Sequence, residues 1–318
     1  MLLLLIIIMI MIGPFLWRLE QLKRAKSVYD VPKVSEELQW LKLHGGLLNK
    51  LGLINDDLLW LDLNVGSKNL ESELTMYQDE QHRFWLFLSY LRDENMAEAQ
   101  NVLDSIGKTP LGQLGQALVS LSKGEAEESR RQLAETEADW KKLSKSDQTL
   151  RHLTLAQAAM ITGDQLSMQA ELEAAQSIEP NNPACLSVAF DIALGQGQWA
   201  KARELSQAIV AQTWRPKTVL FETKRAILAI HENDEQELSD CLVSLKELPR
   251  GENCINYVNG IHALSKGQQQ EGKTLLQRAL NSGLDGQLKT DAQRALDQVT
   301  ERQKADHVLR SLGDGNVD

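Results

Sequence analysis

The feature that most constrains this chain is a break in its helix-like runs that recurs at nearly regular intervals. Neighbouring breaks lie 30, 39, 34, 36 and 34 residues apart. A period in this range is typical of stacked helix pairs, because one pair has too little apolar surface to fold alone and buries it against its neighbours. The breaks are Glu94-Asn95, Lys123-Gly124-Glu125, Thr162-Gly163-Asp164, Gln196-Gly197-Gln198, Asn233-Asp234 and Lys266-Gly267-Gln268.

Composition agrees with a helical chain and excludes one class of function. Leu, Ala, Gln, Glu and Lys dominate, whereas aromatic residues make up only 5%, and this balance favours helix over strand. The formal net charge is −10, the opposite of the basic surface that nucleic-acid binding requires. The sequence therefore predicts an acidic, all-α interaction protein that does not bind nucleic acid.

The segment Leu153–Pro180 contains a small residue in the middle of its first helix, a Gly-Asp turn, small or apolar residues in its second helix, and a closing proline. These places are held by Ala156, Gly163-Asp164, Leu172, Ala175 and Pro180. The next unit begins at Pro183 and carries Gly197, Trp199 and Ala202 in the same register. In this pattern the segment resembles a tetratricopeptide repeat.

The resemblance implies a right-handed solenoid of antiparallel helix pairs over residues 80–284, clearest at 149–216. The usual first-helix tryptophan is missing and only Pro180 holds the closing-proline position, so degenerate helix pairs outside the family are the alternative. Small residues such as Ala156 and Gly260 are expected where helices approach closely. Residues 285–312 are predicted to be a capping helix, followed by a flexible tail at 313–318; its buried face would contain Leu288, Ala292, Leu296 and Val299.

The first 17 residues, MLLLLIIIMIMIGPFLW, contain no charged side chain. A helix of that length covers about 25 Å, close to the roughly 30 Å hydrocarbon core of a bilayer. We therefore predict a transmembrane anchor at 1–19, with a signal peptide or the truncated start of a longer membrane protein as alternatives. Basic residues follow the run and none precedes it, which predicts that the bulk of the chain is cytoplasmic and that this flank meets lipid head groups. They are Arg18, Lys23, Arg24 and Lys26.

Residues 20–79 are predicted to form a juxtamembrane linker and leading helices. The sequence Asp30-Val31-Pro32-Lys33 is typical of a helix start, and Gly45-Gly46 is typical of a helix end. The stretch Leu47–Val65 is less regular, and we predict helix there because the chain that follows it is helical.

The sequence contains no motif that carries catalysis, a cofactor or a metal. His231-Glu232 lacks the second histidine of a zincin, and neither a phosphate-binding loop nor a nucleophile elbow occurs. Gly112–Gly115 is predicted to mark a helix start, and the acidic groups after the turns to lie at helix N-termini. Cys185, Cys241 and Cys254 are predicted to be buried thiols. We therefore expect no enzyme and no cofactor or metal site.

The inner face of the first helices is the predicted partner surface. It contains no Lys or Arg at the matching positions, so a clamp for a partner's terminal carboxylate is not expected. An apolar inner face favours a hydrophobic peptide or helix as the ligand, and the alternative is that some of these positions are core. The pairs are Phe84 and Leu88, Leu114 and Leu118, Leu153 and Gln157, Ser187 and Asp191, Thr223 and Ile227, and Tyr257 and Ile261.

Five residues are predicted to contact the partner. Gln157, Asp191 and Tyr257 belong to the inner face, and Trp140 and Trp214 lie near unit boundaries, where an exposed indole anchors a partner and burial is the alternative. The predicted function is a membrane-anchored scaffold or adaptor that holds a membrane-associated protein partner at the cytoplasmic face of the cell membrane. The alternatives are an outward-facing or secreted helical-repeat adaptor and a regulatory subunit of a membrane protein complex.

Overall fold

The computed structural model describes residues 2–45, 52, 54–67, 70–92, 95–134, 137–284 and 286–313, with side chains from Pro14 onward in the first helix. Every regular element in these ranges is an α-helix, as the sequence predicts. Glu94, residues 47–50 and the predicted tail from residue 314 lie outside the described residues. The helices are α1 (Leu2–Ser27), α2 (Val31–His44), α3 (Asn55–Val65), α4 (Leu70–Leu74), α5 (Glu80–Arg92), α6 (Met96–Ile106), α7 (Pro110–Ser122), α8 (Ala126–Ala134), α9 (Glu137–Trp140), α10 (Lys145–Thr162), α11 (Gln165–Ile178), α12 (Pro183–Gly195), α13 (Trp199–Val210), α14 (Val219–Glu232), α15 (Glu235–Glu247), α16 (Gly251–Ser265), α17 (Gln269–Asn281) and α18 (Gly286–Gly313).

Six turns share one backbone geometry, and they coincide with the predicted breaks. In each turn, one N–H donates to the carbonyl five residues earlier at 2.8–2.9 Å, the bond that ends a helix through a left-handed residue. That left-handed residue has φ between 57° and 81° in the five turns where it is described, and it is glycine in four of them and Asn233 in the fifth. We call the donors the closing residues: Asn95, Glu125, Asp164, Gln198, Asp234 and Gln268.

Three closing residues also begin the next helix with their side chains. Asp164 accepts from the backbone N–H of Ser167 at 3.1 Å, and Asp234 accepts from that of Glu237 at 3.0 Å. Asn95 does the same at the start of α6. A short polar side chain is favoured at this position because it satisfies an N–H that the helix itself leaves without a partner. The same residue therefore stops one helix and starts its partner.

Burial repeats in register with the closing residues, and this periodicity defines the interior of each helix pair. Eight residues before a closing residue the chain is always buried, and it is buried again four residues after it. Ala175, which holds a small-residue position of the repeat in the sequence, is fully buried. The first set is Phe87, Ala117, Ala156, Phe190, Ala226 and Gly260; the second is Ala99, Ser129, Met168, Ala202, Leu238 and Gly272.

The chain divides into two compact units, and unit one comprises residues 1–121, 125–192 and 207–216. Within it each of the first five helices packs on the next, and α10 packs on both α8 and α11. The rings of Phe84 and Phe87 lie 5.7 Å apart in a core that also contains Leu103, Leu114 and Leu133. This core provides the apolar burial that no single helix pair supplies.

Unit two comprises residues 122–124, 193–206 and 217–318. Here α14 packs on α15 and α16, α15 on α16, α16 on α17, and α17 on α18. Gly260 allows the close approach of α16 and α17 that the sequence predicts, because a Cβ atom there would lie 3.0 Å from Leu276 Cγ. A helix, α18, is present where the capping helix was predicted; its Ala292, Leu296 and Val299 are buried, and Leu288 is half-buried.

The leading helices pack against the second half of α1, within unit one. Leu22 and Ala25 of α1 join Leu38 and Leu41 of α2 in one buried cluster. The predicted start of α2 is confirmed, because the side chain of Asp30 accepts from the N–H of Lys33 at 3.1 Å. Helix α3 covers the last eleven residues of the stretch that was predicted to be helical, Leu47–Val65. Helix α1 therefore continues beyond the predicted anchor into a folded core.

The predicted transmembrane anchor, 1–19, falls within α1, whose side chains before Pro14 lie outside the described residues. Over the part of the chain that is described, no helix has both the length and the apolar character needed to cross a membrane. The anchor therefore stays a prediction from the sequence.

Two arginines at equivalent positions connect neighbouring helix pairs, one in each unit. Arg130 lies five residues after its closing residue, and its guanidinium donates to the carboxylate of Asp164 at 3.0 Å. Arg203 occupies the same position two repeats later, and it contacts Glu232 and Asp234. In both cases one acceptor is the closing residue of the next turn. These ion pairs are partly exposed, so each contributes at most about 1 kcal/mol.

Candidate partner-binding surface

The predicted inner-face pairs separate into a core set and a half-exposed set. The first member of each pair lies eleven residues before a closing residue, and all of these except Ser187 are buried. For them the core alternative is correct. The second member lies seven residues before a closing residue and is half-buried throughout. We call this second set the half-exposed row: Leu88, Leu118, Gln157 and Asp191 in unit one, and Ile227 and Ile261 in unit two.

The half-exposed row combines apolar support with polar groups. Leu88 and Leu118 pack partly against the core of unit one, and Ile227 and Ile261 pack partly against the core of unit two. Side chains anchored in this way lose little conformational freedom on binding, which favours their use in recognition. Within unit one the row offers two apolar side chains, an amide and a carboxylate, a combination that suits an amphipathic peptide or helix.

The five residues predicted to contact a partner are not brought together. Trp140 and Tyr257 lie in the cores of unit one and unit two, at 3% and 6% exposure. The indole of Trp140 is covered by Arg151, whose Cζ lies 5.1 Å from the ring centroid. Gln157, Asp191 and Trp214 are half-buried. The role of all five in binding stays a prediction, and only Gln157 and Asp191 belong to the half-exposed row.

Tyr29 occupies a polar notch that no motif in the sequence predicts. Its hydroxyl lies 3.2 Å from Ser146 Oγ, it donates to Glu179 Oε2 at 3.2 Å, and it accepts from Asn182 Nδ2 at 3.0 Å. These partners lie at the ends of α10, α11 and α12, more than 115 residues away in the sequence. Burial is the main cause that raises the pKa of the Tyr29 phenol, so it stays a neutral donor.

Asp147 lies beside this notch with its carboxylate buried at 4% exposure. Ser144 Oγ donates to Asp147 Oδ2 at 2.6 Å, and the side-chain amide of Gln81 donates to the same oxygen at 3.2 Å while its carbonyl accepts from Trp85 Nε1. Burial raises the pKa of Asp147 above its usual value, and the bonds from Ser144 and Gln81 oppose that rise. The notch therefore joins the leading helices to α10–α12 by polar contacts.

In the described residues, the cysteines are buried and the buried carboxylate of Glu222 is held in an ion pair. All three cysteines are free and buried, as the sequence predicts. Burial raises the pKa of Cys185 to about 11 and that of Cys241 to about 12, so neither is a thiolate near neutral pH. Arg225 bridges the buried carboxylate of Glu222 at 2.9 Å and Glu237 at 2.5 Å. Over the described residues, no group of three or more His, Cys, Asp or Glu side chains is placed to hold a metal ion.

Two side chains of the basic flank that follows the first 17 residues form ion pairs within unit one. The guanidinium of Arg18 turns to Glu37 of α2, with 2.8 Å between Nη1 and Oε2, and the carboxylate of Glu37 is fully buried. Lys26 pairs with Asp57 of α3. Nothing in the local sequence signals these pairs, which join residues 19 and 31 positions apart. The contact of this flank with lipid head groups stays a prediction from the sequence.

The two arginines that connect helix pairs were also missed, but a signal for them exists. Arg130 and Arg203 share one position relative to the closing residues, and both face an aspartate closing residue. Once the repeats are aligned on their turns, the coincidence of Arg with Asp can be read from the sequence. The contacts of Tyr29 have no such periodic signal.

No protein-family model matches the chain, and no curated protein matches its sequence.

Proposed function

We propose that the chain is a membrane-anchored helical-repeat scaffold that binds a protein partner and holds it at the cytoplasmic face of the membrane. The half-exposed row carries this proposal, because one register position of consecutive first helices offers side chains that are partly supported by the core and partly open. The right-handed tetratricopeptide arrangement is part of the proposal and rests on Leu153–Pro180. The anchor rests on the uncharged run Met1–Trp17.

The ligand that suits the row in unit one is an amphipathic helix or an extended peptide with apolar and polar faces. Leu88 and Leu118 would contact apolar side chains, and Gln157 would provide both a hydrogen-bond donor and an acceptor. An anchor adds to this binding by raising the local concentration of a partner that is itself at the membrane. The proposed partner is therefore a membrane-associated protein.

Site-specific photo-crosslinking in cells tests the proposal. A photoreactive residue at Gln157 is expected to yield one discrete protein adduct, and the same residue at Leu166 is expected to yield none. Leu166 is the matched control because it lies on α11 and is 87% exposed. The Gln157 adduct should weaken when residues 1–17 are removed, since the partner is held at the membrane. Equal adducts at both positions, or an adduct indifferent to the truncation, would count against the scaffold.

A further inference from the structure

We propose that the C-terminal end of α2 contacts the lipid surface together with the end of the apolar run of α1. The surface consists of Leu16, Trp17, Trp40 and Leu43, and we call it the collar. Its occupant is the head-group region of the bilayer that the first 17 residues enter, so this inference rests on the proposed function. It goes further by naming a second element that meets the membrane.

Contacts between α1 and α2 place the last turn of α2 beside the end of the uncharged run of α1. The ring centroids of Phe15 and Trp40 lie 5.3 Å apart, and Arg18 pairs with Glu37 at 2.8 Å. Residue numbers rise along α1 as they fall along α2, so α2 runs back alongside α1. Its last turn therefore lies where α1 changes from packed helix to the uncharged run.

The collar exposes more apolar surface than folding within unit one explains. Leu16 is 61% exposed, Trp17 is 55% exposed and Leu43 is 73% exposed. Large apolar side chains that are exposed singly are ordinary, but a cluster of them marks an interaction surface. Leu16 and Trp17 are the last two residues of a run with no charged side chain. That continuity favours lipid as the occupant.

The guanidinium of Arg18 contacts both indoles of the collar, and its charge is neutralised by Glu37. The guanidinium carbon of Arg18 lies 5.1 Å from the ring centroid of Trp17 and 5.0 Å from that of Trp40. Its charge is balanced by the buried carboxylate of Glu37. Arg18 therefore orients both indoles, and tryptophan is the side chain that most favours the boundary between head groups and acyl chains.

An environment-sensitive fluorophore reports whether the collar meets lipid. The full chain is reconstituted into phosphatidylcholine and phosphatidylglycerol vesicles with the fluorophore on Leu43→Cys, and a second sample carries it on Leu166→Cys. Both parent side chains are leucines that are more than 70% exposed, and the native cysteines are buried. The expected result is a blue shift of emission and quenching by lipids brominated near the head group for position 43, with neither effect for position 166.

Each other outcome identifies what is wrong. Protein that floats with the vesicles but gives no shift at position 43 would overturn the collar and leave the anchor intact. Protein that does not float would overturn the proposed membrane function itself. Shifts at both positions, or a shift at position 43 without vesicles, would mean that a broader surface or a second protein copy covers these residues, and would equally overturn the inference.

Discussion

At the residue scale, two aspartates with similar hydrogen-bond donors are expected to respond to pH in opposite directions. Asp147 is buried, and burial raises the pKa of its carboxyl. Asp164 lies at the surface, where hydrogen bonds from Ser167, followed by those from Arg130, lower its pKa. When folding raises the pKa of a carboxyl group, the protonated group stabilises the folded state at any pH below its ordinary pKa, near 3.8. That stabilisation is lost as pH rises through the pKa of the folded state. A lowered pKa gives stability that is present above the ordinary value and is lost as pH falls.

Asparagine substitution at each site makes this contrast measurable. As pH rises from about 3.5 to 7, the melting temperature of Asp147→Asn should rise relative to that of the unmodified protein, because the amide removes a buried charge. Over the same interval the melting temperature of Asp164→Asn should fall relative to that of the unmodified protein, because the amide removes a favourable charge. Thermal unfolding followed by circular dichroism provides the comparison. Slopes of the same sign would mean that the two carboxylates do not have the surroundings described.

Residues also differ in how far their surroundings can be predicted. Asp164 and Asp234 follow turn signals, so their position at a helix start follows from local chemistry. The surroundings of Tyr29 consist of groups that come together only when the chain has folded. Its backbone is left-handed, with φ of 54°, but no glycine in the sequence signals this conformation. The Arg18–Glu37 pair is equally hard to predict, because each residue taken alone is of a type that usually lies at the solvated surface. Local signals therefore predict the turns, and tertiary contacts determine the notch.

At the element scale, the helix-pair register makes Ala175 a sensitive position. It is fully buried on α11, eleven residues after its closing residue. Ala175→Arg should lower the free energy of unfolding by about 3 kcal/mol or more, because it overfills a packed contact and buries an unpaired charge. Ala170→Arg, an exposed alanine on the same helix, should have little effect.

Hydrogen exchange distinguishes how the damage from Ala175→Arg spreads. Because a repeat contacts mainly its neighbours, protection should fall across residues 150–215 and less across 253–300. A uniform loss would indicate one cooperative core in place of coupled repeats. An unchanged pattern in the substituted protein would mean that the contact at Ala175 is not packed as described.

The helix pairs were predictable because their signals repeat, whereas the packing that precedes them was not. Five of the six turns carry glycine or asparagine just before the closing residue, and each first helix carries a small or apolar residue at a fixed distance from the closing residue. Gly260 belongs to this pattern, so its place at a close helix contact was predictable, whereas Leu276 as its neighbour is known only from the structure. The leading helices occur once, so no period reveals that Leu22 of α1 belongs to a core with Leu38 and Ile54.

At the scale of the whole molecule, the boundary between the apolar run and the folded body should lie before Phe15. Removing residues 1–13 retains the ring contact of Phe15 with Trp40 and the pair of Arg18 with Glu37. The truncated protein should therefore keep its helicity and its melting temperature. Removing residues 1–30 also deletes Leu22 and Ala25, which are 1% and 4% exposed. That loss should cost about 3 kcal/mol.

Circular dichroism and denaturant unfolding of the two truncations check this boundary. Equal stability for both would mean that α1 contributes nothing to the core of unit one. Loss of helicity in the shorter deletion would mean that the uncharged run is needed for folding, and the division between anchor and body would then be wrong.

Helix α1 runs without a break from the uncharged segment to the buried cluster around Leu22. A flexible tether would let the attached unit move widely above the membrane, and the unit could then meet partners at many distances from the bilayer. If the uncharged run enters a membrane as proposed, a helix locked by Arg18 and Glu37 would instead confine unit one to a narrow band of distances from the lipid. For a scaffold of the proposed kind, the gain in effective concentration then depends on height as well as affinity. A partner whose binding segment emerges at the wrong distance from the bilayer is excluded by geometry, even when its sequence would fit.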